Sequence, residues 1–245
     1  MQKRLFTIES NDLEARDTYR IVLRSDSLVT AASGQFVDLA LPGYYLRRPI
    51  SISDCRPDAV VLYYKVVGEG TQVLSRMAPG AALELLLPLG SGFHPEKCAA
   101  DALLIGGGLG VAPLYLLAKE LLAQGKHATA VLGFNKAEEI VLEEDFRALC
   151  DEVVLATLDG SAGVKGFVTD ALATLEPDWD YFYTCGPLVM MKAVCRALEG
   201  PGEASLEERM GCGSGFCYCC TCETVSGPKR VCMDGPVFKK EELTW

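Results

Sequence analysis

Six cysteines crowd into residues 212–232, in the stretch MGCGSGFCYCCTCETVSGPKRVCMDG. Cys212, Cys217 and Cys220 follow the spacing C-x4-C-x2-C, and Cys232 comes after eleven intervening residues. Thiolates at that spacing hold a two-iron, two-sulfur cluster. Glycines at 211, 213 and 215 let the chain fold closely around such a cluster and aim backbone N–H groups at its sulfurs. Cys219 and Cys222 are alternates by spacing. A four-cysteine zinc site normally shows two C-x2-C knuckles, and only one half of this stretch looks like that.

Three further motifs suit a long, phosphate-bearing ligand. Arg48-Pro49-Ile50-Ser51 offers a planar guanidinium for a pyrophosphate and a hydroxyl for the edge of a heterocycle. Arginine and serine three apart do not share a strand face by simple alternation, so the proline must bend the strand edge. Gly68-Glu69-Gly70-Thr71 opens a helix, whose first N–H groups favour phosphate. Gly106-Gly107-Gly108-Leu109-Gly110-Val111-Ala112-Pro113 lies between a predicted strand and a predicted helix, where the backbone can approach a phosphate. Pro113 stands where a third fingerprint glycine would be, so this is not G-x-G-x-x-G. Thr184-Cys185-Gly186-Pro187 ends a predicted strand, and the Cys185 thiol there is a candidate wall of a nicotinamide pocket.

Composition narrows the class. The 245 residues carry 23 basic and 33 acidic side chains, a formal charge of −10. That balance argues against a nucleic-acid or anionic-membrane binder. Two histidines exclude any site of three imidazoles. Eleven cysteines, an odd number, do not read as a disulfide framework. The start MQKRLFTIESND has no apolar core of a signal peptide, so a reducing cytoplasmic compartment is expected. The uncharged run Ala102–Ala118 is short for a membrane span and is broken by glycines and Pro113.

The elements that must position these groups follow from the pattern. Residues 1–97 read as short strands between turns such as Pro42-Gly43 and Pro79-Gly80, with one helix from Thr71 to Met77, which suggests a closed β-barrel. Residues 98–202 alternate strand and helix, the signature of a parallel α/β sheet. Residues 203–245 lack helical periodicity and are too few to be stable without a metal staple. The expected fold is therefore a β-barrel domain, an α/β parallel-sheet domain and a small C-terminal cysteine-rich domain spaced for a [2Fe–2S] cluster.

Taken together, RRPIS, GEGT, GGGLGVAPL, CGP, ERMGCGSGFC and VCMDGPVF resemble the ferredoxin–NADP reductase superfamily over essentially the whole chain. Within it, the order barrel, nucleotide domain and cysteine tail resembles the branch that serves class B dihydroorotate dehydrogenases. The resemblance implies FAD in the barrel, a [2Fe–2S] cluster in the tail and NAD at the α/β domain, which makes the barrel a flavin domain and the α/β part a nucleotide domain. It implies an FMN-containing catalytic subunit as partner, commonly in a heterotetramer, with electrons passing from FMN through the cluster and FAD to NAD⁺ in pyrimidine biosynthesis. It carries cofactor roles over to Arg48, Pro49, Ile50 and Ser51, to Tyr63, Tyr64 and Lys65 on the neighbouring strand, and to Gly70 and Thr71 at the FAD phosphates. Gly106, Gly107, Gly108, Gly110 and Pro113 would form the nucleotide loop, with Gly186 and Pro187 on the nicotinamide side and Cys185 in a catalytic position. Cys212, Cys217, Cys220 and Cys232 would bind iron. Ile50 stands where many members have an aromatic, and Lys65 where related subunits often have arginine.

Rival readings are a flavin–iron–sulfur subunit of a sulfide dehydrogenase or of a ferredoxin–NADP oxidoreductase, and a zinc-stapled scaffold without redox turnover. Such reductase subunits often have aspartate at the first ligand position, which is Cys212 here. Gly133, Phe134, Asn135 and Lys136 supply no arginine cluster for a 2′-phosphate, so NAD is expected rather than NADP. The chain has no obvious acid–base constellation, so the orotate chemistry is expected in the partner.

Overall fold

Short apolar strands separated by turns build the first part of the molecule. The computed structural model describes residues 1–175 and 178–244. Strands β1 (Gln2–Ala15), β2 (Thr18–Arg24), β3 (Phe36–Ala40), β4 (Arg48–Arg56) and β5 (Ala59–Lys65) precede helix α1 (Glu69–Ser75) and β6 (Ala82–Leu89). They close into a barrel in the order β1-β2-β5-β4-β3-β6, every pair antiparallel. Alternation in β6 sends Leu83, Leu85 and Leu87 into the barrel. The helix expected from Thr71 starts earlier, at Glu69, because the Thr71 hydroxyl accepts the N–H groups of Val67 (3.0 Å) and Gly68 (3.2 Å) and fixes the cap at Gly68.

The second part alternates strand and helix: β7 (Asp101–Gly107), α2 (Val111–Ala123), β8 (His127–Phe134), α3 (Glu143–Arg147), β9 (Glu152–Thr157), β10 (Val164–Lys165), α4 (Val168–Leu172), β11 (Tyr181–Cys185), α5 (Leu188–Ala197) and β12 (Gly202–Ser205). The third contributes a hairpin, β13 (Thr221–Thr224) and β14 (Gly227–Arg230), and β15 (Val237–Lys239). The uncharged run becomes β7, a glycine turn and most of α2; no helix among the described residues is long and apolar enough to cross a membrane.

The large sheet has the order β10-β9-β8-β7-β11-β12-β15. It is parallel from β10 to β12, and β15 returns antiparallel beside β12. Chain order reverses between β7 and β11, so a crevice opens at their carboxyl ends. The break expected at 202/203 falls inside β12. The tail is anchored as a sheet strand at both ends and packs Leu206, Val231 and Phe238 against barrel Phe36 and Leu89 and against Met191 of α5.

Strand β5 joins the first two parts. Val60, Leu62 and Tyr64 face the barrel interior, while Ala59, Val61 and Tyr63 join the core beneath α2. Burial on both faces explains why β5 is apolar without a break. Polar ties reinforce the contact: Lys119 pairs with Asp54 at 2.5 Å, and Glu120 accepts the buried Ser33 N–H (3.0 Å) and hydroxyl (2.6 Å).

Candidate functional site

Two cavities and one cysteine loop carry the chemistry. The first cavity, about 370 Å³, lies between the barrel and the start of the tail. Arg48, Pro49, Ile50 and Ser51 of β4 line it, with Tyr63, Tyr64 and Lys65 of β5 and with Thr71. The Arg48 guanidinium lies 5.0 Å over the Tyr44 ring and directly over Gly70. A Cβ on Gly70 would stand 2.5 Å from Arg48 Nε, so this glycine makes room for the arginine and does not itself line the cavity. Tyr64 donates its hydroxyl to Asn11 Oδ1 at 2.8 Å, and burial pushes both tyrosine hydroxyls above their usual range. A guanidinium, an ammonium and the hydroxyls of Ser51 and Thr71 on one wall are a donor set suited to an anionic heterocyclic cofactor, with the acids Glu207 and Glu208 kept to the opposite wall.

The far wall of this cavity comes from Ser205, Leu206, Glu207, Glu208 and Met210, none of which sequence patterns mark. The segment runs straight on to Gly211 and Cys212.

The second cavity, about 380 Å³, is the crevice at the switch point. Gly107, Gly108, Pro187 and Met190 form its inner end, and Phe134, Asn135 and Phe167 its outer end. The glycine motif divides in two. Gly107 and Gly108 line the crevice, whereas Gly106, Gly110 and Pro113 do not. A Cβ on Gly106 would meet Val111 Cγ1 at 2.7 Å, and one on Gly110 would meet the Cys185 carbonyl oxygen at 2.2 Å. Those two glycines let α2 close on the strands. Gly186 approaches Gly107 in the same way, with its Cβ position 3.0 Å from Gly107 N. Pro187 lines the crevice and caps α5.

Cys185 corrects an expectation. It is 1% exposed and lines neither cavity. Alternation along β11 puts it on the face of Tyr181 and Tyr183, in the core packed by α2. Burial, with Glu207 nearby, pushes its thiol well above the usual range. Its thiol is therefore presented to neither cavity.

The two cavities are joined by one carboxylate. Glu139 Oε1 accepts Lys65 Nζ at 3.3 Å, and Glu139 Oε2 accepts Asn135 Nδ2 at 2.9 Å. Lys65 lines the barrel cavity and Asn135 the crevice. Burial opposes ionisation of Glu139, but the amide of Asn135 and the ammonium of Lys65 outweigh it and hold the carboxyl below its usual range.

In the tail, the sulfurs stand as two pairs. Cys212 Sγ accepts the N–H of Cys217 at 3.4 Å, of Phe216 at 3.3 Å and of Ser214 at 3.5 Å. Cys220 Sγ accepts the N–H of Cys232 at 3.4 Å. Burial would raise the Cys212 thiol, yet the amides of Ser214 and Cys217 and the Cys217 thiol bring it down to about 6. Cys220 and Cys232 are buried, while Cys217 and Cys219 are exposed. Sulfurs that accept backbone amides are the donor chemistry an iron–sulfur cluster needs, and among the described residues no three such side chains close on a single ion. Barrel residue Asp38 faces this loop and is 2% exposed, with Oδ1 unpartnered. Burial pushes its carboxyl to about 6 despite Arg47. Gly213 sits against it at φ +62°, where a Cβ would lie 2.7 Å from Asp38 Oδ2.

An anion-ready barrel cavity, a crevice at a parallel sheet's switch point and a cysteine loop that follows the barrel cavity's far wall define an NAD-linked oxidoreductase of the ferredoxin reductase fold. Comparison with known proteins agrees. The iron-sulfur cluster binding domain of dihydroorotate dehydrogenase B matches residues 207–244, and the oxidoreductase NAD-binding domain matches residues 104–196. The dihydroorotate dehydrogenase B (NAD(+)) electron transfer subunit of Fusobacterium nucleatum is 39% identical over 251 residues, covering 97% of this chain and 96% of that one. Its counterpart in Bacillus cereus strain G9842 is 41% identical over 258 residues, covering 99% of each. A solved structure of an NADH-dependent reduced ferredoxin-NADP oxidoreductase superposes with a TM-score of 0.90 at 32% identity, covering 98% of this chain and 90% of that one. The chain belongs to the family of dihydroorotate dehydrogenase B electron-transfer subunits, oxidoreductase subunits that work with a catalytic partner.

Proposed function

We propose that this subunit takes electrons from an FMN-containing dihydroorotate dehydrogenase catalytic subunit and passes them through a [2Fe–2S] cluster and FAD to NAD⁺. One observation carries the order of transfer. The segment Ser205–Met210 forms a wall of the barrel cavity and continues directly into Cys212, so a cluster held there would adjoin a flavin held by Arg48 and Ser51. FAD supplies the exchange between single electrons and a hydride.

The chain's own residues do the positioning. Arg48 and Lys65 hold the flavin's phosphates, Ser51 meets its ring, and Tyr63, Tyr64, Pro49 and Ile50 complete the wall. Gly70 makes room for Arg48, and Thr71 fixes the cap beside it. Gly107, Gly108 and Pro187 receive the dinucleotide, while Gly106, Gly110, Pro113 and Gly186 set the spacing of α2 and β11. Cys212, Cys217, Cys220 and Cys232 hold iron. The three functional parts are a flavin barrel at 1–97, a nucleotide domain at 98–202 and a cluster domain at 203–245, the last sharing β12 with the sheet. The subunit assembles as a heterotetramer with the catalytic chain. It is cytoplasmic, a reading supported by cysteines that are all free among the described residues.

The test is the anoxically purified complex assayed for dihydroorotate-dependent reduction of NAD⁺. Removing iron with a chelator should abolish that activity and leave NADH oxidation by an artificial flavin acceptor. Dihydroorotate-dependent NAD⁺ reduction that survives complete loss of iron would overturn the proposed route.

A further inference from the structure

Cys219 has no role in the four-cysteine reading, yet it shares a position with one of the four. Tyr218, between Cys217 and Cys219, takes the left-handed conformation at φ +57°, which side chains other than glycine rarely adopt. The turn is held from two sides. The Arg230 guanidinium lies 5.3 Å over the Tyr218 ring, and the Thr221 hydroxyl donates to the Tyr218 carbonyl at 2.7 Å. Arg230 is itself fixed by Asp234 at 2.9 Å and by the Gly215 carbonyl at 3.0 Å. The result is that two thiols reach one spot: the Cβ position of Gly211 is 3.2 Å from Cys217 Sγ and 3.3 Å from Cys219 Sγ. The Cys219 thiol also donates to the Cys217 carbonyl oxygen at 3.9 Å. Cys222 is placed differently. It is half-buried on β13 and packs against the apolar core of the tail.

We propose that Cys219 is an alternative iron ligand that can replace Cys217, so that the solvent-facing iron site is closed by either thiol. This rests on the cluster reading above. The exchange is neutral in electrons. The iron–sulfur bond to Cys217 breaks, that to Cys219 forms, and the proton leaving the Cys219 thiol passes to the Cys217 sulfur beside it. No oxidant is required. Exchange is confined to this end because Cys217 and Cys219 are exposed while Cys220 and Cys232 are buried.

The full chain with its flavin would be produced anoxically as wild type, Cys217→Ala, Cys219→Ala, the double variant and Cys220→Ala. Iron, acid-labile sulfide, visible absorption and the electron paramagnetic resonance of the reduced protein would be read, with flavin content as the measure of folding. Each of the first two single variants should keep iron and sulfide, Cys217→Ala with a shifted resonance. The double variant and Cys220→Ala should lose both. A Cys217→Ala protein as empty as the double variant, beside a full Cys219→Ala protein, would sink the proposal; so would the reverse. A wild type without iron and sulfide would instead defeat the cluster reading itself. Anoxic alkylation of the loaded wild type needs no variant: single labels should divide between Cys217 and Cys219. Complete labelling of Cys219 with none on Cys217 would also overturn the exchange.

Discussion

Substituting Gly110 by alanine should damage the molecule far more than the same change at Gly107, three residues away in the same motif. Gly110 has φ −61°, which alanine adopts freely, so the cost comes from space alone. Its added methyl would stand 2.2 Å from the Cys185 carbonyl oxygen and 2.6 Å from Gly186 N. These are backbone atoms of a buried strand end, which cannot swing aside. Overpacking costs typically 1–3 kcal/mol, and a backbone obstacle puts this case near ~3 kcal/mol. For a chain of this size that lowers the melting temperature by roughly 6–12 °C. At Gly107 the methyl would meet Met190 Sδ at 2.3 Å, on a flexible side chain that can move, and the Pro187 ring only at 3.1 Å, so about 1 kcal/mol of stability is lost. The moved methionine and the new methyl both intrude on the crevice, so the KM for NADH should rise about tenfold, equivalent to ~1.4 kcal/mol. Calorimetry and steady-state NADH oxidation with an artificial acceptor separate the two effects. If Gly107→Ala melts as early as Gly110→Ala, or if Gly110→Ala is as stable as wild type, the division of the motif into packing and ligand glycines is wrong.

Two further substitutions probe the joints. Asp180 accepts the N–H groups of Ala99 (2.8 Å), Ala100 (2.6 Å) and Asp101 (2.9 Å), tying the segment that enters β7 to the segment that enters β11. Burial opposes its ionisation, but these amides outweigh it and hold the carboxyl below its usual range. A depressed folded pKa stabilises above the unfolded value and loses that stabilisation as pH falls through the folded one. Asp180→Asn should therefore cost about 1 kcal/mol near neutrality, with the difference from wild type closing below about pH 4 in denaturant titrations. A gap that persists unchanged at low pH would show that charge is not involved. Glu139→Gln cannot hold both Lys65 and Asn135 as an acceptor, so FAD release and the KM for NADH should rise together by about two- to fivefold; movement of only one would show that the cavities are independent.

The chemistry was most legible where the ligand set is local. The C-x4-C-x2-C spacing of Cys212, Cys217 and Cys220 marks the loop as suited to a two-iron cluster, because a loop that short has few ways to close, although spacing alone leaves Cys219 and Cys222 as alternates. RPIS and the glycine turn were legible for the same reason: Arg48, Ser51, Gly107 and Gly108 each line a cavity within a few residues of a strand end. The alternation of strands and helices after residue 98 gave the parallel sheet, and its switch point between β7 and β11 gave the crevice.

What the sequence could not supply is everything brought together across the chain. Periodicity says that Cys185 ends a strand, but only the packing of α2 decides that its thiol faces the core and not the crevice. Gly106 and Gly110 look like phosphate-loop glycines until β11 and α2 are seen to press on them. Glu139 joins Lys65 to Asn135, and Ser205–Met210 walls the barrel cavity, because β12 pairs beside β11 and carries the tail back to the barrel. The amino-acid sequence by itself determined the inventory: a cysteine loop spaced for iron and sulfur, an Arg-Pro-Ile-Ser strand, a glycine turn between strand and helix, and the three kinds of scaffold that hold them. Tertiary structure alone decided which glycines make room for atoms of the protein and which line the crevice, and that the start of the tail walls the barrel cavity. The reason is physical: spacing and periodicity act over a few residues, whereas burial and approach depend on strands distant in the chain.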